Sequence, residues 1–229
     1  MFKPRMFRPF TTNLKPPSRQ PKRQLFEIGD GPPPTQKQLE HFRKNRKPII
    51  ESLLVPQLKK SKDIMHGATS RNIIIQKKIG KEQAQKQNLI TPTYDYDVWS
   101  AMPKKRAVEI ENKIDKQYNA DVAQVEKLPI GKRAPDVAGQ PTKKHERYAV
   151  VTPATPTGKQ EVDYTSFPAR PYKTNTIDGV RHETLASSYK RAQEDKNIPL
   201  RTERASREIQ STGRLDRLLR ARGKKGVIE

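Results

Sequence analysis

The chain has 229 residues, of which 47 are Lys or Arg and 25 are Asp or Glu, giving a formal net charge of +22; 32% are apolar and none is Cys. No apolar run approaches the roughly 20 residues that cross a bilayer, and the lack of Cys excludes disulfide scaffolds, thiolate zinc sites and cysteine nucleophiles. Four scattered His offer no metal cluster, and 20 Pro with low hydrophobicity point to one compact domain carrying polar extensions.

Like charges at this density oppose compaction unless a polyanion or solvent offsets them. Nucleic acid is the first candidate partner, because each neutralised phosphate releases counterions. An anionic membrane surface is the second, although no basic helix with a wide bulky apolar face is present.

Residues 1–34 hold eight prolines, and seven Lys or Arg precede the first acid, Glu27. The segment reads as an extended basic tail that lies along nucleic acid or threads a larger assembly, with plain disorder as the alternative. Its Arg-rich start also has the look of an organelle transit peptide, but the prolines forbid the amphipathic helix such a peptide needs. Thr35 caps a short helix to about Arg46, and Pro48 opens another with Ile50, Leu53, Leu54 and Leu58 on its apolar face and a kink at Pro56. Asp63 to Gly67 reads as a short strand ending at a glycine, Ala68 to Ile75 as the start of a helix, and the polar run Gln76 to Gln87 as loop or helix end.

The segment Thr91-Pro-Thr-Tyr-Asp-Tyr-Asp-Val-Trp99 alternates as a strand does. It puts Asp95 and Asp97 on one face, with Tyr94, Tyr96 and Trp99 read as core. Lys104 to Tyr118 carries Ala107, Ile110, Ile114 and Tyr118 at helical spacing. Three strands are expected at Val122–Leu128, Arg147–Thr152 and Lys159–Phe167, the last two joined by a turn over 153–158. Residues 129–144 form a Gly, Pro and Lys loop. Thr184 to Asp195 is helical, followed by Arg201 to Arg222, a helix weakened at Gly213 and exposed on most sides. It carries Arg201, Arg204, Arg207, Arg214, Arg217 and Arg220 at helical spacing. Residues 1–47 carry +9 and residues 201–229 carry +5, so the ends are denser in charge than the middle. Six Arg with few acids between them repel unless paired with phosphates, so this helix is the candidate nucleic-acid contact; a solvated face is the plainer reading.

Paired carboxylates two residues apart on a strand stand about 7 Å from one another, close enough to ligate one hard cation or bridge two. A third carboxylate on a neighbouring strand would complete a two-metal site for phosphoryl transfer. Asp163 is the candidate, with Glu161 in reserve. The plainer reading of Asp95 and Asp97 is a strand edge whose charges resist aggregation, and that of Gly67 is a simple strand-to-helix turn. His66 reads as a turn or core residue, having no companion ligands.

The order is strand, glycine turn with His66-Gly-Ala-Thr-Ser70, helix, strand with paired Asp, helix, strands, third Asp. In this order the chain resembles the DNA polymerase beta-like nucleotidyltransferase superfamily, particularly its small stand-alone and toxin-type members. The resemblance implies that Gly67, Ala68 and Thr69 contact nucleotide phosphates and that Asp95, Asp97 and Asp163 bind Mg2+ and carry catalysis. It also implies that Ile177 to Leu185 links into a helix whose Lys190 faces the triphosphate. Position 68 is Ala where the family has Gly or Ser, and the 28 positions from Gly67 to Asp95 require an inserted loop.

The expected fold is α+β, a small mixed sheet with helices packed on it. The expected division is a Pro-rich basic tail over 1–34, a nucleotidyltransferase-like domain over 35–200 and an Arg-rich helical extension over 201–229. The expected function is magnesium-dependent transfer of a nucleotidyl group from a nucleoside triphosphate to a hydroxyl of RNA, DNA or protein. The alternative is a non-catalytic, nucleic-acid-binding component of a virion or ribonucleoprotein particle, its tails contacting other proteins of the assembly. A third is an organelle-targeted assembly factor. The expected location is cytoplasm, nucleus or virion ahead of an organelle matrix.

Overall fold

The computed structural model describes residues 31–93, 95–128, 146–152, 159–167, 173–198 and 201–228. The tail reading for residues before 31, the loop over 129–144, the turn over 153–158 and the side chain of Tyr94 lie outside the described residues.

A seven-stranded mixed sheet organises the chain, with spatial order β3-β4-β5-β2-β1-β7-β6. The strands are β1 (Ile64–His66), β2 (Tyr96–Ser100), β3 (Gln124–Lys127), β4 (Arg147–Thr152), β5 (Lys159–Ser166), β6 (Thr174–Ile177) and β7 (Val180–Glu183). The helices are α1 (Gln36–Lys60), α2 (Gly67–Ile79), α3 (Lys81–Lys86), α4 (Pro103–Tyr118), α5 (Leu185–Asp195) and α6 (Thr202–Ala221). The α+β expectation holds. Parallel pairings join β2 to β5 and β1 to β7; the remaining neighbours are antiparallel.

Alternation along the strands gives the sheet two chemically different faces. One is apolar: Met65, Tyr96, Val98, Tyr148, Val150, Val162 and Tyr164 pack with α4 (Ala107, Ile110, Ile114) and α1 (Phe42, Ile50, Leu54, Leu58) into the main core. The other face carries His66, Asp97, Trp99 and Asp163. A second cluster of Ile74, Ile75, Leu89, Leu185, Leu215 and Leu219 unites α2, α5 and α6.

Where two helices were expected before residue 60, there is one. Thr35 caps it, with a capping box to Gln38, and the helix runs through Pro48 and Pro56 without a break. Each proline removes a backbone hydrogen bond and costs about 3 kcal/mol. Against that, Phe42, Ile49, Ile50, Leu54 and Leu58 are buried on one face, at about 1.5–3 kcal/mol each. Tertiary burial therefore outweighs the local signal. In the polar run expected to be loop or helix end, residues 76–79 do end α2, but a second short helix, α3, follows a glycine at φ +83°. This short second helix takes up the extra length between Gly67 and Asp95.

The linker expected before α5 contains a hairpin. Asp178 (φ +49°) and Gly179 (φ +83°) form its two-residue turn, the left-handed pair that matches strand twist. Thr174–Ile177 pairs with Val180–Glu183, and β7 then docks parallel to β1. The C-terminal helix differs from expectation as well. It passes through Gly213 unbroken, and Ala205, Glu208, Ser211, Thr212, Leu215 and Leu219 are buried. A glycine inside a helix costs about 1 kcal/mol, less than burying the two leucines returns.

Candidate active site

The polar face of β2 and β5 holds the predicted carboxylates. In the parallel β2–β5 pairing Asp97 stands opposite Asp163, and in the antiparallel β1–β2 pairing His66 stands opposite Asp97. Directly opposed residues project from the same face, so Asp163 and Asp97 adjoin beside the end of β1. Asp95 lies one residue before β2.

The turn from β1 into α2 fixes this geometry. Gly67 adopts φ +72°, and a Cβ placed on it would stand 2.0 Å from Asp97 Oδ2. The Asp97 carboxylate thus rests against the Gly67 α-carbon, at the N-terminus of α2. Its preceding residue, His66, offers no side-chain cap, so the first-turn amides have neither an intrahelical acceptor nor that cap. Ala68 and Thr69 sit in this first turn, both half-buried. Thr69 Oγ1 donates to the Asp95 carbonyl (2.6 Å), while Thr93 Oγ1 donates to Asp95 Oδ1 (2.8 Å). One turn on, Asn72 exchanges two hydrogen bonds with the Thr91 backbone (2.7 and 3.1 Å) and Arg71 reaches Thr91 Oγ1 (2.9 Å). The first two turns of α2 therefore hold the 91–95 segment and present Asp95.

Two arginines meet the carboxylates. Arg147 Nε donates to both oxygens of Asp163 (3.0 and 2.8 Å), and its Nη2 also reaches Oδ2. Arg204 of α6 lies 3.6 Å from Asp97 Oδ2, with its side chain 68% exposed. Burial, reinforced by Asp95 and Asp163 and opposed by Arg204 and Arg147, pushes the Asp97 carboxyl up to about 6. His66 stacks on Trp99 at 4.0 Å between ring centroids. Burial holds the imidazole well below its usual range, and Arg191, Arg204 and Arg147 add to the effect. Its Nε2 is buried with no hydrogen-bond partner among the described residues.

Behind the carboxylates lies a buried charged network. Arg71 pairs with Glu208 (3.1 Å), Ser188 donates to Glu208, and Arg191 pairs with Glu183 (2.9 Å). Arg191 also lies 5.9 Å over the Trp99 ring. The network ties α6 to α2, and α5 to β7.

Several sequence expectations change here. Trp99 is buried as expected, but on the carboxylate side of the sheet, against His66. Lys190 is exposed on α5; its neighbour Arg191 is the residue that turns inward. Glu161, the reserve ligand, is not beside Asp163. A register shift opposite Val150/Val151 interrupts the alternation of β5, and Glu161 pairs with Arg46 of α1 (2.9 Å) and accepts from Thr152 (3.1 Å). All six arginines of the C-terminal stripe are exposed, and four hold acids nearby: Arg201 with Asp195, Arg204 with Asp97, Arg207 with Glu203 and Arg220 with Asp216. Sequence reasoning missed Arg147 and the reach of Arg204 to Asp97. The signal for Arg147 was present, since it begins a strand predicted to lie near Asp163.

The donor chemistry suits a hard divalent cation: two adjoining carboxylates, a third two residues upstream, and one of them, Asp97, raised by burial and by its two carboxylate neighbours. Among the described residues, however, no three His, Cys, Asp or Glu side chains close around a common point. Arg147 and Arg204 engage two of the three carboxylates, so a cation here would replace guanidinium contacts. Among the described residues no helix is long and apolar enough to cross a membrane.

No protein-family model matches the chain, and no curated protein matches it. Among solved structures, the chain is similar to the crystal structure of the Megavirus polyadenylate synthase, with a TM-score of 0.50 and 16% sequence identity over 84% of this chain. The match spans 39% of that longer chain. At this identity the likeness speaks to the fold, which is α+β and nucleotidyltransferase-like.

Proposed function

We propose that the chain is a nucleotidyltransferase that takes a nucleoside triphosphate and passes its nucleotidyl group to a hydroxyl of nucleic acid. The observation that carries this reading is the register that sets Asp97 opposite Asp163 beside the Gly67 turn. Like charges on adjoining strands oppose folding, and clusters of this kind concentrate at functional sites. Similarity to a protein described as a polyadenylate synthase supports the same class of chemistry.

In this reading the α2 amides at Gly67, Ala68 and Thr69 receive phosphate oxygens, as helix N-termini do. Thr69 has a second task, because its hydroxyl fixes the Asp95 carbonyl. The acceptor hydroxyl oxygen attacks the α-phosphorus, a P–O bond forms, the α–β bridge breaks, and pyrophosphate leaves while the hydroxyl proton passes to solvent or base. Asp95, Asp97 and Asp163 would hold Mg2+, which supplies a lowered hydroxyl pKa and charge compensation on the leaving oxygens. Asp97 rests on Gly67 and so sits at the phosphate cradle. Arg147 places a fixed positive charge at the rim, where a departing anion gathers charge.

One observation favours a second reading. Arg147 holds Asp163 through both oxygens, an arrangement that also suits a non-catalytic nucleic-acid-binding component of a particle. Incubating the full chain with Mg2+, labelled nucleoside triphosphates and mixed RNA and DNA separates the two. Label transfer that is lost in Asp97→Ala and Asp163→Ala supports the enzyme. Absence of transfer, with salt-sensitive nucleic-acid binding intact in all three proteins, supports the second reading.

A further inference from the structure

The two arginines on the carboxylates come from different parts of the fold. Arg147 belongs to the sheet, one strand from Asp163. Arg204 comes from α6, whose opposite side is an exposed basic row. Arg207 pairs there with the 87%-exposed Glu203. No acidic side chain among the described residues pairs with Arg214 or Arg217.

We propose that α6 is an acceptor-operated latch: single-stranded nucleic acid lying along Arg207, Arg214 and Arg217 draws Arg204 off Asp97 and onto a phosphate, opening Asp97 to a divalent cation. This rests on the nucleotidyltransferase reading and adds how the site is regulated.

The energetics favour the exchange. The Arg204–Asp97 contact is long, at 3.6 Å, and its guanidinium is mostly in solvent, so screening keeps it to about 1 kcal/mol, whereas a guanidinium meets phosphate through a charge-assisted, two-pronged contact. Once Arg204 leaves, the half-buried Asp97 stands beside Asp95 and Asp163 with no cation in contact, an arrangement that favours binding of a divalent cation. Nucleic-acid binding and cation binding are therefore positively linked, and the coupling must be reciprocal. The geometry matches a strand. From Arg204 to Arg217 the helix rises about 20 Å, a length that several successive nucleotides of a strand span. The planar fork of Arg suits phosphate in particular, and the chain's net charge of +22 favours a polyanion over a mixed-charge protein surface.

The test uses the full chain at low salt, with Mn2+ as the probe cation followed by titration calorimetry. The titration is run with and without a single-stranded RNA of about ten nucleotides, long enough to span the row, and the heat of Mn2+ binding to RNA alone is subtracted. RNA is expected to tighten Mn2+ binding roughly two- to fivefold, the range an exposed ion pair allows. Arg204→Ala should bind Mn2+ more tightly without RNA by a similar factor and respond less to RNA. Arg214→Ala should keep the wild-type Mn2+ affinity without RNA and require more RNA for the effect. Both side chains are exposed, so neither change threatens the fold. Mn2+ affinity that ignores RNA, or an Arg204→Ala variant that behaves as wild type, overturns the latch and leaves the enzyme reading standing. Absence of Mn2+ binding in every condition overturns both. An equal response to polyglutamate overturns the assignment of nucleic acid as the partner.

Discussion

Asp97 and Gly67 are fitted to one another: the carboxylate occupies the space that a side chain at position 67 would need. A Cβ there would lie 2.0 Å from Oδ2 and 2.9 Å from Cγ, on a residue already at φ +72°. The same glycine therefore serves the turn into α2 and the position of a candidate ligand.

Gly67→Ala is expected to act on both. A left-handed residue with a Cβ costs about 1–2 kcal/mol, and displacement of Asp97 adds to it. The thermal midpoint should fall by several degrees, and label transfer should drop to the level of Asp97→Ala. A variant with wild-type midpoint and transfer would refute the fit.

The two opposed carboxylates should respond in opposite directions to neutralisation. The folded pKa of Asp97, about 6, exceeds its unfolded value of 3.8. The folded protein thus binds more protons between those values, and stability falls as pH rises through that window. At pH 8 Asp97→Asn should stabilise the metal-free protein by about 1–2 kcal/mol. Asp163→Asn removes the partner of Arg147 from a buried position and should destabilise it by a similar amount. Urea unfolding midpoints of the two variants, compared with wild type, test the sign.

His182 carries a linkage of the other sign. It is 2% exposed beneath α2, with Nδ1 3.0 Å from Ser70 Oγ, and burial lowers its pKa from 6.5 to about 4. The unfolded chain binds more protons between pH 4 and 6.5, so this contribution is present above 6.5 and is lost as pH falls to 4. Its full span is about 3 kcal/mol. Stability measured at pH 4.5 and 7 should differ less in His182→Gln than in wild type by an amount of this order. An unchanged difference would show that the histidine does not titrate as placed.

Arg71 and Glu208 are both buried and join α2 to α6. Removing one partner strands a buried charge, at roughly 3–5 kcal/mol. Glu208→Ala should therefore unfold at markedly lower urea and lose hydrogen-exchange protection throughout α6. The double variant Arg71→Met with Glu208→Leu should recover much of that loss. Wild-type stability in Glu208→Ala would mean that the Arg71–Glu208 pair contributes nothing to the fold.

The local signals that survived were those tied to short-range chemistry. Thr35 capped its helix, the apolar spacing of Lys104 to Tyr118 produced α4, and alternation located β2, β4 and β5. The Asp-x-Asp pair and the third Asp were legible because side-chain direction along a strand has period two. By the same rule Asp178-Gly179 marked a hairpin that the linker reading passed over, although the left-handed turn it needs is written in those two residues.

Other features depended on contacts between distant segments. Pro48 and Pro56 argue locally for a helix break, and only the burial of α1 against the sheet reverses that. Glu161 and Asp163 look equivalent in sequence, yet a register shift set by pairing with β4 separates them. Nothing in the spacing of the C-terminal arginines distinguishes Arg204, which lies at the edge of the buried face of α6 and so reaches Asp97. The sequence by itself determined an α+β chain with three candidate site Asp, Asp95, Asp97 and Asp163, a glycine turn and a basic C-terminal helix. The tertiary structure decided which carboxylates adjoin and which arginines meet them, because strand register and helix docking are set by the packing of residues far apart in the chain.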